Sequence, residues 1–201
     1  MTYPIRIVVA LPAEAKPVIS RFRLERIPLD DGFPVYRNKD VSLIISGVGK
    51  KNSAAAVRQL QAFSRSMIKA SWINFGIAGH PVRALGEGFL ARRVIDAVTA
   101  DNWTVRMGEL FSFETDELLT VDVPDFGYKY PYAIDMEAAG YFPEAQALTD
   151  AGRVHCLKVV SDNRVSPAKR INKKMVSRLI EDKLDLFVAI LDKLDGESHW
   201  N

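Results

Sequence analysis

Cysteine is nearly missing from this sequence. Cys156 stands alone among 201 residues, so no internal disulfide can form and a reducing compartment is expected. An excess of charge of either sign is missing too. Lys and Arg number 27 against 25 Asp and Glu, a formal net charge of +2. That balance points to neither nucleic acid nor an anionic membrane. No apolar run approaches the ~20 residues needed to span a bilayer. The opening Met1-Thr2-Tyr3-Pro4-Ile5-Arg6 lacks the basic segment and long apolar core of a secretory signal, so a cytoplasmic protein is expected. Internal repeats and Gly/Ser-rich or Pro-rich linkers are absent, and residues 1–201 are read as one domain. What is present, 48% apolar and 26% charged residues, excludes a disordered chain.

Short apolar runs alternate with helical patterns. Ile5 to Leu11 reads as a buried strand and Ala13 to Phe22 as a helix, with Pro17 favouring a start there. Val41 to Ile45 is a second strand, ending at Ser46-Gly47-Val48-Gly49-Lys50. Asn52-Ser53 would cap a helix running to Phe63. Ser71 to Phe75 is a third strand, closed by Gly76-Ile77-Ala78-Gly79-His80, whose small residues either make a turn or let the backbone approach a ligand closely. Phe89 to Val98, Leu118 to Val123 and Val154 to Val160 read as further strands, and Met136 to Leu148 as a helix that Pro143 bends or ends. Apolar spacing from Val176 to Leu194 predicts one long final helix. The alternation implies an α/β domain with a mostly parallel or mixed central sheet flanked by helices. Ligands in such sheets sit beyond the C-terminal strand ends, where Glu14, Gly47, Gly49, Gly76, Gly79 and Asp162 fall.

Each of these residues also has an ordinary structural reading. Gly47 to Lys50 lacks the spacing of either nucleotide-phosphate motif and suits a tight turn. Glu137 stands at a predicted helix start, where the dipole alone favours an acid. Asp162 is a strand-end Asp, a common turn residue. Together the three acids could instead supply an acid/base pair and an acceptor for sugar hydroxyls. His80, His155 and His199 fit no metal spacing; His80, after the Gly-rich turn, is the one placed to reach a ligand. Phe126, Tyr128, Tyr130 and Tyr132 crowd one loop, which either stacks on a base or is pinned by its own rings. The basic residues Arg164, Lys169, Arg170, Lys173, Lys174 and Arg178 suit a solvated loop and helix face.

Several segments, in order, resemble the nucleoside phosphorylase and nucleosidase superfamily, on its methylthioadenosine/S-adenosylhomocysteine nucleosidase branch. They are Ile5 to Glu14, Ser46 to Lys50, Ile73 to Gly79, Leu85 to Asp96, Asp135-Met136-Glu137-Ala138 and Val159 to Asp162. The resemblance implies hydrolysis of a purine N-glycosidic bond with no metal or organic cofactor. Glu14 would activate the water and Asp162 would protonate or hydrogen-bond the purine N7. Glu137 would hold the ribose hydroxyls and Met136 would pack under the sugar. Ile77, Gly79, His80 and Phe126 would complete the substrate site. The resemblance also implies a homodimer, for which Asn102-Trp103 is a candidate contact. Two departures stand out: Ile77 replaces a Ser and His80 a Gly. The segment between Asp96 and Asp122 is also short for the family, which suits a bulkier nucleoside. Phosphorolysis is the alternative, but the Arg residues that would hold phosphate are not evident. A non-catalytic nucleoside-binding protein is a further alternative, and a nucleic-acid partner using the basic run is the weakest.

Overall fold

The computed structural model describes residues 3–63 and 69–195; His199 lies outside them. The strands are β1 (Ile5–Val9), β2 (Glu25–Arg26), β3 (Val35–Arg37), β4 (Val41–Ile45), β5 (Ser71–Gly79), β6 (Gly88–Asp96), β7 (Asn102–Thr104), β8 (Thr115–Thr120), β9 (Ala133–Asp135) and β10 (Val154–Asp162). The helices are α1 (Pro12–Phe22), α2 (Lys50–Phe63), α3 (Ala138–Gln146), α4 (Lys173–Glu181) and α5 (Leu184–Asp195).

The sheet is mixed. β4, β1, β5 and β10 lie side by side and parallel. β6 joins β10 antiparallel, β8 and β9 follow parallel to it, and β9 returns antiparallel to β5. Five strands therefore close a ring, while β1, β4, β3 and β2 extend it to one side. β1 and β10 are buried along their whole length, as the runs Ile5–Val9 and Val154–Val160 require when helices cover both faces, and β4 and β5 are buried except at the half-buried Ser42, Ile77 and Gly79. Phe75 stacks on Phe187 of α5 at 4.7 Å between centroids, and Phe22 of α1 meets the same ring edge-on.

Several boundaries depart from the sequence expectation. α1 starts at Pro12 and runs through Pro17. α2 starts at Lys50, ahead of the expected cap at Asn52-Ser53; Ser53 lies inside the helix, and its hydroxyl donates to the carbonyls of Lys50 and Glu137. Gly76 to Gly79 is not a turn. β10 pairs with β5 as far as Gly79, so the strand continues through both glycines. The single final helix is two, parted after the C-cap residue Asp182, although the apolar spacing carries across the break.

Candidate active site

The closing of the ring brings the ends of β1, β5, β9 and β10 around one cavity of about 260 Å³. Glu14, Ile77, Gly79, Phe126, Met136, Glu137 and Asp162 all line it. His80 does not. Its Nδ1 accepts the N–H groups of Val82 (3.1 Å) and Arg83 (2.8 Å), and its Nε2 faces Asp116 at 3.3 Å. The imidazole is thus committed to a turn outside the cavity. Burial lowers its pKa and outweighs the opposing pull of Asp116. Nor do Asn102 and Trp103 line the cavity; Trp103 packs on Phe142, 6.5 Å between centroids.

Glu14 does two jobs. As the third residue of α1 it accepts the Leu11 N–H at 2.8 Å, the ordinary capping role. The same Oε2 accepts from Ala10 at 2.9 Å, and Oε1 accepts from Ile77 at 3.0 Å. The carboxylate is thereby pinned across the gap between α1 and β5. Burial raises its pKa, against the Ile77 and Leu11 N–H groups and the charge of Lys158, which lower it. Gly76 makes room for this group: a Cβ there would stand 2.8 Å from Oε1. Gly79 does the same for Asp162, whose Oδ2 would meet a Cβ at 2.9 Å. The two glycines that mimic a turn are therefore the places where a strand passes close beneath a carboxylate.

Asp162 is the last residue of β10, yet the adjacent turn is made by Asn163, whose Oδ1 accepts from Val165 and Ser166. Asp162 is left to the cavity. Its Oδ1 accepts from the Ser161 hydroxyl at 2.5 Å and its Oδ2 from the Tyr128 hydroxyl at 2.7 Å.

Glu137 is the N-cap residue of α3 but does not cap it. Asp135 does, accepting the Ala138 N–H at 2.9 Å. The Glu137 carboxylate instead accepts the Gly49 N–H at 3.0 Å. A carboxylate therefore takes one of the loop N–H groups that a phosphate would need. Lys50 holds this loop in place, bonding Asp96 at the end of β6 and Asp122 after β8, each at 2.9 Å. Burial and the neighbouring Asp135 push the Glu137 pKa up to about 7, while Lys158 pulls it down.

The folded protein holds the Glu137 proton to higher pH than the unfolded chain does, so stability falls as pH rises from about 4.5 to about 7. Glu137→Gln removes the buried charge. It is expected to raise the melting temperature at pH 8 by about 2–8 °C, with the gain vanishing near pH 4. Thermal unfolding of both proteins across this range checks it; a variant destabilised at pH 8 relative to pH 4 contradicts the assignment.

Sequence reasoning missed Lys158. It lies in the middle of β10, 1% exposed, with its Nζ 2.9 Å from Asp135 Oδ2. Asp135 also accepts from Thr120 Oγ1 at 2.7 Å. Burial opposes the lysine's charge, but Asp135 and Glu137 outweigh it and hold its pKa above the ordinary value. The available signal was a single cation inside an apolar run. Tyr128 and Ser161 were missed as well; Tyr128 belonged to the aromatic cluster, of which only Phe126 was assigned to the site. Tyr130 is exposed, and Tyr132 packs on Leu119, Val121 and Ile134. Among the described residues no cluster of His, Cys, Asp and Glu suits a metal ion, and no helix is long and apolar enough to cross a membrane.

No family model matches the chain, and no curated protein does. Solved structures do match. The apo 5′-methylthioadenosine nucleosidase of Arabidopsis thaliana has a TM-score of 0.79 at 18% identity, over 98% of this chain and 97% of that one. A mutant of the Helicobacter pylori methylthioadenosine nucleosidase, with 5′-methylthioadenosine in its active site, gives 0.74 at 14% identity, covering 96% of this chain and all of that one. The futalosine hydrolase of the same bacterium gives 0.72 at 16% identity, over 96% of this chain and 99% of that one. The order of strands, the closed ring and these likenesses together show that the chain has the fold of the nucleoside phosphorylase and nucleosidase superfamily.

Proposed function

We propose that this protein is a nucleosidase that hydrolyses the N-glycosidic bond of a purine nucleoside. The observation that carries the reading is the charge of the cavity wall. Glu14, Asp125, Asp135, Glu137 and Asp162 line it, and among the described residues no Lys, Arg or His does. As a glycosidic bond breaks, the sugar gains oxocarbenium character, which carboxylates stabilise. Inorganic phosphate needs cationic or multiple N–H partners, and such a wall repels it. Water is therefore the nucleophile of choice.

The roles follow from position. Glu14 orients a water and takes one of its protons as the water oxygen bonds to C1′. The C1′–N9 electron pair leaves with the base, and Asp162, protonated for this step, delivers its proton to N7. Glu137 accepts hydrogen bonds from the ribose hydroxyls, and Met136 lies beneath the sugar. The proton on Glu14 returns to solvent and Asp162 regains one, so base and free sugar are the products. Ile77 supplies its N–H to Glu14, so the missing Ser hydroxyl does not leave that carboxylate loose.

Two apolar side chains of the cavity wall, Val48 and Phe126, are 45% and 57% exposed. A second copy of the chain covering them is part of the same proposal. Sedimentation as a monomer at micromolar concentration would remove that part alone. The catalytic reading is tested by incubating the protein with methylthioadenosine, S-adenosylhomocysteine, adenosine, inosine and futalosine, then separating free base by chromatography. Release that does not require phosphate is expected from at least one of them. Release only with phosphate, with ribose 1-phosphate formed, contradicts it. A thermal shift with nucleosides but no release would favour a binding protein.

A further inference from the structure

We propose that Tyr128 is a positioning residue that sets the orientation of the Asp162 carboxylate against the purine. This rests on the nucleosidase reading above. Tyr128 lines the cavity, is 3% exposed and stands outside any regular element. Three bonds hold it. Its carbonyl accepts from Arg164 at 2.9 Å, its hydroxyl oxygen accepts the Ala168 N–H at 3.2 Å, and its hydroxyl is 2.7 Å from Asp162 Oδ2. The phenol donates its proton to Asp162 and accepts the Ala168 N–H on its oxygen, so it serves both bonds at once.

The cost of placing the residue is visible in the backbone. Tyr128 has φ +47°, in the left-handed region that bulky residues seldom adopt. Such a conformation persists where surrounding contacts over-determine it. Here Arg164 holds the backbone carbonyl and Ala168 the phenol oxygen, which leaves the phenol proton on Asp162.

The consequence is geometric. The two oxygens of Asp162 offer about four lone-pair positions. Ser161 fills one on Oδ1 and Tyr128 one on Oδ2. The carboxyl group cannot rotate without losing both bonds, so its remaining positions point in fixed directions. A base must present N7 along one of them. The phenol keeps its own proton throughout, since burial and then Asp162 make its ionisation harder. It orients the acid and transfers nothing.

Tyr128→Phe removes the hydroxyl and leaves the ring. For a nucleoside that the wild type cleaves, kcat is expected to fall roughly 10- to 100-fold, the range for one hydrogen bond to a charged group, with KM changed less than about 3-fold. The same substitution in an Asp162→Asn background distinguishes positioning from support of the loop. If Tyr128 acts through Asp162, it lowers the residual kcat there by less than about 3-fold. Where steady-state turnover is too slow to follow, base release under single-turnover conditions with excess enzyme carries the same cycle. Equal losses in both backgrounds, or an unchanged kcat in Tyr128→Phe, overturn the proposal while the nucleosidase reading stands. A wild type that releases no base from any nucleoside overturns the nucleosidase reading, and the role of Tyr128 falls with it.

Discussion

Asp162→Asn is expected to lower purine release by roughly 10²- to 10⁴-fold, the usual contribution of a positioned general acid, while leaving the protein folded. The expectation of an intact fold comes from the partners. Both side-chain bonds to Asp162 come from hydroxyls, Ser161 and Tyr128. The Asn carbonyl can keep the Tyr128 proton, while the Ser161 hydroxyl, which also reaches the Ala78 carbonyl, can turn to accept the amide N–H. Glu14→Gln is different. All three of its bonds come from backbone N–H groups, of Ala10, Leu11 and Ile77, and these cannot reverse. The new –NH₂ must face at least one donor, so a loss of activity comes with a loss of about 1–3 kcal/mol in stability. Steady-state rates and thermal unfolding on the two variants separate these outcomes. An Asp162→Asn protein within threefold of wild-type turnover would remove Asp162 from the chemistry.

The second large effect concerns the ion pair beneath the cavity. Lys158→Met fills the same channel in β10 with an apolar chain and leaves Asp135 buried with no cation. Breaking a buried pair from one side costs about 3–5 kcal/mol. For a chain of this size that lowers the melting temperature by roughly 6–20 °C. Glu137 and Glu14 would also lose the positive charge that now draws both pKa values down. Replacing both partners, as Lys158→Met with Asp135→Asn, removes the orphaned charge and should recover a large part of the loss. Calorimetric unfolding of the single and double variants checks this. A single variant as stable as wild type would show that Asp135 is not charged in the folded protein.

Strands β1 and β10 were legible because each is buried on both faces and so reads as a nearly continuous apolar run, Ile5–Val9 and Val154–Val160. Glu14 and Asp162 were legible because they follow or end such runs, and Glu137 because it stands at a helix start. Gly76 and Gly79 were misread because local sequence does not distinguish a glycine that turns the chain from one that makes room for a carboxylate. Lys158 needed its partner: Asp135 lies in another strand, and no local spacing links the two. His80 looked available because it follows a Gly-rich stretch, but the N–H groups of Val82 and Arg83 claim its ring. Strands such as β2, β3, β7 and β9, two or three residues long, carry too little periodicity to be seen.

The most direct test of the central claim follows the oxygen atom that reaches C1′. The protein is incubated with a nucleoside it cleaves, in ¹⁸O-labelled water with excess unlabelled phosphate, and the sugar product is analysed promptly by mass spectrometry. With Glu14 activating water in a cavity lined by acids, the expected product is free sugar carrying one ¹⁸O. Unlabelled ribose 1-phosphate as the initial product would contradict hydrolysis and show that this cavity binds phosphate as the nucleophile.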